Sequence, residues 1–287
     1  MRSRTMTYIL AAGLAAFLAV GGLVSCSDDS IPTATGGTGT LRMLLVDAPA
    51  GMAGVESLEI VFDEVLVSRC AEEADSADCE WYTVLADTLP LEDRTFELLD
   101  LVNGVFATLG EVELEPGYYC QVRITLGDAT LIVDGEPQEL KIPSGYQSGI
   151  KLVGGFTIEP NVVTELVADF DVAVSLHEAP PGSGRYILRP TIHIVQKTLS
   201  GTISGTVLPS GIGAVVYALD PATSDTVTST LPDTLTGEYM LQALLAGTYE
   251  VTASAAGYVD STRTGIVVTA GADTPDIDFT LDLEATE

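Results

Sequence analysis

Asp169 and Asp171 stand two apart in VTELVADFDVAVSL, residues 163–176, and that spacing decides what they can do. Leu166, Ala168, Phe170, Val172 and Val174 alternate with them. A strand of period two therefore turns the apolar set one way and both carboxylates the other, about 7 Å apart. Two carboxylates facing one way, near Asp47 or Glu165, are hard oxygen ligands suited to calcium. The same two could act as the acid and base of a glycosidase-like pair. A solvated sheet face, or hydrogen bonds to loop backbone, uses these residues with no chemistry at all, and this plain reading ranks first.

A second constellation is Ser148-Gly-Ile-Lys151 within PSGYQSGIKL, residues 143–152. Nucleophilic catalysis by a Ser-x-x-Lys pair needs the serine at the start of a helix, so that one turn brings the amine to the hydroxyl. Lys151 instead sits in a run where Ile150 and Leu152 alternate with it, and in a strand positions three apart point to opposite faces. Neither Ser-Asp-Asn nor Lys-Thr-Gly follows downstream, and the glycines lack the spacing of a phosphate loop. The Ser144-Gly145 and Ser148-Gly149 pairs are read as two bends leading into a strand.

The remaining chemistry-bearing residues are few. Cys70 and Cys79 bracket AEEADSAD between two strand-like runs, and a disulfide there would close a short hairpin loop worth about 2–3 kcal/mol. Cys120 is then the odd cysteine. In CQVRITL it alternates with Val122, Ile124 and Leu126, which predicts an unpaired core residue. No Cys-x-x-Cys pair accompanies His177 and His193, so a zinc site is not indicated. Trp81, the single tryptophan, and Tyr82 are the candidates for stacking on a sugar ring, with Tyr118, Tyr119 and Tyr146 behind them.

Arg2 and Arg4 followed by an uncharged apolar run from Tyr8 to Val24 form a secretory signal. The run ends in Leu23-Val24-Ser25-Cys26, which resembles the lipobox of bacterial lipoproteins, with Cys26 the residue to be lipidated. Ser27-Asp28-Asp29 follows; it lacks an inner-membrane retention aspartate directly after the cysteine and resembles an export signal for surface lipoproteins. The expected address is therefore the outer membrane, with cell-surface display preferred and the periplasmic face the alternative.

The 287 residues carry 41 acids against 12 Lys and Arg, a formal net charge of -29. Loss of residues 1–25 removes two arginines and no acid, which takes the charge to -31. Such a chain repels phosphate backbones, which excludes nucleic acid as a partner.

The elements that must position these residues are strands. SDDSIPTATGGTG, residues 27–39, has no apolar periodicity and is read as a flexible tether with a reach of about 20 Å. Beyond it, runs of five to eight residues rich in β-branched and aromatic types alternate with turn signals such as Pro116-Gly117 and Asp134-Gly135. Only FELLDLVNG, residues 96–104, invites a short helix. A new pattern opens near residue 200 with GTISGTVLPSGIGAVVYAL. The expectation is an all-β protein of two β-sandwiches in tandem, residues 40–196 and 201–283, behind a signal peptide (1–25) and a lipidated tether (26–39).

VDAP (46–49), LLDLVNG (98–104), PGYYCQVRITL (116–126), IPSGYQSGIKL (142–152), DFDVAVSL (169–176) and LRPTIHI (188–194) together resemble a bacterial lipoprotein family, the domain of unknown function numbered 4382. That family carries no activity to transfer. Residues 201–283, with GTVLP, AVVYAL, TGEYMLQALLAGTYEVTASAAGY and VVTAG, resemble a carboxypeptidase-regulatory-like domain, a transthyretin-like, carbohydrate-binding-like sandwich. The resemblance implies a spacer or adhesive module.

The expected function is a non-catalytic surface binding or adhesion component with no cofactor beyond a calcium held by Asp169, Asp171 and Asp47. A glycan or a surface protein is the expected partner besides the membrane itself. The alternatives are a carbohydrate-binding accessory lipoprotein and, third, a hydrolase using the paired aspartates.

Overall fold

The computed structural model describes residues 37–48, 54–69, 79–143 and 149–284. Twelve strands build the first sandwich: β1 (Gly39–Ala48), β2 (Val55–Arg69), β3 (Glu80–Leu85), β4 (Thr95–Glu97), β5 (Ala107–Leu114), β6 (Gly117–Val133), β7 (Glu136–Lys141), β8 (Ile150–Ile158), β9 (Val163–Asp171), β10 (Leu176–Glu178), β11 (Arg185–Leu188) and β12 (Ile192–Gln196). One sheet runs β12-β9-β1-β5, and the other β10-β11-β7-β6-β2-β3, with β4 on β2 and β8 on β6. Eight more form the second: β13 (Ser200–Leu208), β14 (Val215–Leu219), β15 (Thr226–Thr230), β16 (Glu238–Leu245), β17 (Gly247–Ser254), β18 (Ser261–Val268), β19 (Asp273–Thr274) and β20 (Phe279–Thr280). Its sheets run β16-β13-β19, with β20 on β13, and β15-β14-β17-β18. The all-β, two-sandwich expectation holds.

Alternation explains the first core, and bulges explain where alternation breaks. Along β2, Leu58, Ile60 and Phe62 are buried, and then Val65 and Val67. The phase slips between Phe62 and Glu64, where the register against β6 shifts. On β6 the same happens between Tyr119 and Gln121 against β8. Tyr119 is therefore the buried partner of Val122, Ile124 and Leu126, and Cys120 is only half-buried. Extending the alternation back through Cys120 crosses this bulge and gives the wrong face.

Cys120 is also not the odd cysteine, because Cys79 and Cys120 are both disulfide-bonded. Cys70 lies outside the described residues, as does the AEEADSAD loop.

The side chain of Tyr119 stacks on Phe156 with centroids 5.4 Å apart and meets Tyr82 edge-on at 5.7 Å. Its hydroxyl donates to the carbonyl of Glu115, four residues back, at 3.0 Å. Tyr249 makes the same bond to Leu245 in the second sandwich, at 2.9 Å. Tyr119→Phe keeps the stack and loses one hydrogen bond, so a urea melt should show a loss of about 1 kcal/mol.

The Asp134-Gly135 hairpin joins β6 to β7 with both residues at positive φ, 51° and 77°, as a two-residue turn of the primed type requires. FELLDLVNG, by contrast, forms no α-helix. Thr95–Glu97 pairs with β2, and Leu98–Asp100 makes one 3-10 turn capped by the Glu97 carboxylate, which accepts from Leu99 N at 3.2 Å. The same carboxylate accepts from Leu58 N at 2.9 Å, which ties the turn to β2 and holds it to three residues.

The two sandwiches keep separate cores, one around Phe62, Tyr119 and Phe170, the other around Tyr239, Leu241 and Phe279. A third, smaller apolar cluster joins them: Leu44, Val46 and Val167 of the first sandwich, with Val195, pack against Ala243 of the second. Both sandwiches belong to one compact unit.

Candidate functional site

β9 forms as the alternation predicts. Leu166, Ala168 and Phe170 enter the first core, and Asp169 and Asp171 share the opposite face with Val167. That opposite face is covered. Asp169 is 3% exposed and Asp171 1% exposed. The covering strands are β15, which lies on β1 and β9, and β16, which lies on β9 and β12. The plain expectation of a solvated sheet face is thereby corrected: the second sandwich is what the carboxylates face.

Asp171 has a structural task. It is the N-cap of α1 (Val172–Ser175), and its Oδ1 accepts from Val174 N at 3.0 Å. Ser175 Oγ, whose own hydroxyl donates to the Asp171 carbonyl, accepts from Thr191 N at 2.9 Å, and Asp171 N donates to the Thr191 carbonyl at 3.0 Å. Asp169 meets the hydroxyl of Thr228 on β15, and Ser229, next along β15, lies beside Asp171.

Asp47 does not join the pair on its face. In the parallel β1–β9 register, Val46 stands opposite Asp169 and Asp47 opposite Phe170, so Asp47 sides with the core face of the sheet. Its Oδ1 accepts from Val172 N at 3.3 Å, and its Oδ2, also buried, has no hydrogen-bond partner. The three aspartates expected to share a calcium thus divide between two faces, and among the described residues no group of three or more His, Cys, Asp or Glu is arranged to hold a metal ion. Glu165, the other acid considered, is bound instead by Lys197 at 3.1 Å and Arg42 at 3.3 Å. Burial raises its pKa, but the two cations together hold it below the usual range.

Electrostatics follow from the burial. Desolvation pushes Asp169 up to about 8, against the hydrogen bond from Thr228 and with help from the Asp171 charge. Desolvation raises Asp171 to about 6, opposed by the backbone amides of Val174 and Ala173. Asp47 stands well above the ordinary carboxylate range, through burial first and the Asp169 charge second.

A single asparagine ties the same seam. Asn103, at φ 52°, lies in LLDLVNG just after the 3-10 turn. Its Oδ1 accepts from Met240 N at 3.0 Å and from Thr230 Oγ1 at 3.4 Å, while its Nδ2 donates to the Leu231 carbonyl at 3.3 Å. The amide thereby stands in for a peptide group between the β15 and β16 edges of the second sandwich. Sequence reasoning placed Asn103 in a signature segment and missed this role; the only signal was an Asn-Gly pair, which reads as a turn.

The other candidates disperse. Trp81 is half-buried, with the Arg123 guanidinium 4.2 Å from its ring centroid, so one ring face is already covered. Tyr82 packs on the first core, and Tyr118, 54% exposed, is the open ring of this group. His177 and His193 are exposed on β10 and β12, as expected of surface histidines. Lys151 is exposed on β8 opposite Arg123, while Ser144, Tyr146 and Ser148 lie outside the described residues, as does Cys26. Among the described residues no helix is long and apolar enough to cross a membrane.

No curated protein matches the chain. Solved structures similar to it include the Bacillus anthracis TIE protein (11% identity, TM-score 0.24), covering 86% of this chain and 34% of that one, so the chain spans about a third of its length. The minor pilin GBS52 of Streptococcus agalactiae is 11% identical with a TM-score of 0.23, covering 86% of this chain and 97% of that one. A fimbrial protein of Bacteroides ovatus is 8% identical with a TM-score of 0.24, covering 87% and 51%. Likenesses this slight carry no functional argument. Residues 198–282 match the carboxypeptidase regulatory-like domain. Residues 38–190, more than half of the chain, match the family described as a domain of unknown function (DUF4382), and it is to this family that the chain belongs.

Proposed function

We propose that the chain is a non-catalytic binding or adhesion component of the outer envelope, held to the outer membrane by lipid on Cys26 and displayed at the cell surface. The reading rests on the burial of Asp169 and Asp171 beneath the second sandwich. The acid pair with the strongest claim to hydrolysis has no open face on which a polymeric substrate could lie. What the pair does instead, with Asn103, is fasten a second sandwich to the first. A fastened pair of sandwiches makes a stiff projecting unit, which suits attachment better than turnover.

Three measurements, two on cells and one on purified protein, test this. Cys26→Ser should release the chain from the membrane fraction, and protease added to intact cells should digest the wild type. Purified protein should bind an immobilised polysaccharide or matrix panel saturably without releasing product. Product accumulation that is abolished by Asp169→Asn would contradict the proposal, as would retention of Cys26→Ser in the membrane.

A further inference from the structure

The seam between the sandwiches is not fully filled. A cavity of about 290 Å³ opens there, lined by Ile192, Val195, Val227 and Leu245 together with the buried Asp169 and the exposed His193. Ligand pockets are of this character, mostly aliphatic with one or two convergent polar groups, and this one is near the small end of their size range.

Its electrostatics are one-sided. The groups facing Asp169 are Asp171 on its own strand, Thr228 on β15 and His193 directly opposite on β12, while Asp47, on the core face of the same sheet, is close enough for the two charges to interact. Buried carboxylates are ordinarily paired with a cation. Among the described residues the ion pairs of arginine and lysine are made with Glu111, Glu165, Glu115, Asp63 and Glu139, and none reaches Asp169 or Asp171. Around the whole molecule, a net charge of -29 favours the approach of cations.

We infer that the cavity takes a primary ammonium group on a short aliphatic stem, the ammonium meeting the Asp169 carboxylate and the stem lying along Ile192, Val195, Val227 and Leu245. Lysine side chains and small alkylamines share this chemistry. The inference rests on the reading of the chain as a binding protein and gives that reading one site. Asp169 enters the complex as a carboxylate, so a carboxyl that is protonated beforehand passes its proton to solvent as the ammonium arrives; burial pushes this group up to about 8.

Titration calorimetry on the full chain in detergent tests it, with n-butylammonium, n-butanol and butyrate as probes at about pH 7. Butylammonium should bind saturably and release close to one proton, read from the dependence of the heat on buffer ionisation; butanol should bind weakly and butyrate not at all. Asp169→Asn should weaken the amine at least about tenfold while melting no lower than wild type, which separates loss of the site from loss of the fold. The peptide Ala-Lys-Ala distinguishes the sources. Tighter binding than butylammonium identifies a partner's lysine, and weaker binding a free amine. Equal binding of butanol and butylammonium, or amine binding unaffected by Asp169→Asn, overturns the inference, as does the absence of saturable binding by both amine probes. Attachment to the polysaccharide or matrix panel would survive such a failure and keep the broader reading intact.

Discussion

Asp169→Asn combined with Asp171→Asn should melt about 10 °C above the wild type at about pH 8 and level with it near pH 4. The two carboxyls titrate at about 8 and about 6 in the folded protein and near 4 once unfolded. Between those values the native state holds protons that the unfolded state has released, so stability falls as pH rises, at a slope set by the difference in bound protons. The loss begins near the unfolded value, accumulates through about 6 and about 8, and is flat beyond. A tenfold difference in proton affinity between the folded and unfolded states is worth about 1.4 kcal/mol, so the wild type carries a penalty of several kcal/mol at alkaline pH. Asparagine removes the charge yet keeps an acceptor for Thr228 and remains a good N-cap for α1. Melting curves between about pH 5 and pH 9 should therefore slope downward steeply for the wild type and less for the double variant, which keeps only the buried Asp47; parallel curves would show that the pair is solvated.

Removing the Asn103 side chain should uncouple the two sandwiches. Its amide makes three hydrogen bonds to the second sandwich, to Met240, Thr230 and Leu231. At about 1 kcal/mol each, the loss is about 2–3 kcal/mol from a seam whose apolar cluster is small. Asn103→Gly is the cleaner variant, because glycine accepts the φ of 52° without strain, whereas alanine there adds about 1 kcal/mol of left-handed strain. Calorimetry should show one transition for the wild type and two for Asn103→Gly. A single unshifted transition in the variant would mean the clasp is idle.

Much of this architecture could be read from residue order. Alternation in VTELVADFDVAVSL assigned Asp169 and Asp171 to the face opposite Phe170, and Asp134-Gly135 fixed a hairpin. Periodicity, however, says which residues share a face and not what lies over it. Two aspartates on one face read as solvated because charge normally seeks water, and the strand that buries them, TVTST in β15, offers Thr228, Ser229 and Thr230, all buried and none charged. That short uncharged polar run in so acidic a chain was the available hint. Cys120 was misassigned for a different reason. The bulge at Tyr119–Gln121 shifts the phase by one residue, and a bulge of this kind leaves no mark in the local composition. Asn103 was missed because an Asn-Gly pair signals a turn through its backbone, while the clasp belongs to its side chain and to residues more than a hundred positions away.

The burial of the acid pair is tested most directly by a carboxyl-carbon NMR titration of Asp169 and Asp171 in the intact chain. Asp171 should titrate at about 6 and Asp169 at about 8, with both midpoints falling toward ordinary values when Asn103→Gly loosens the seam. Midpoints near 4 for both residues in the wild type would mean that water reaches the pair, and would contradict the covered seam on which the non-catalytic reading depends.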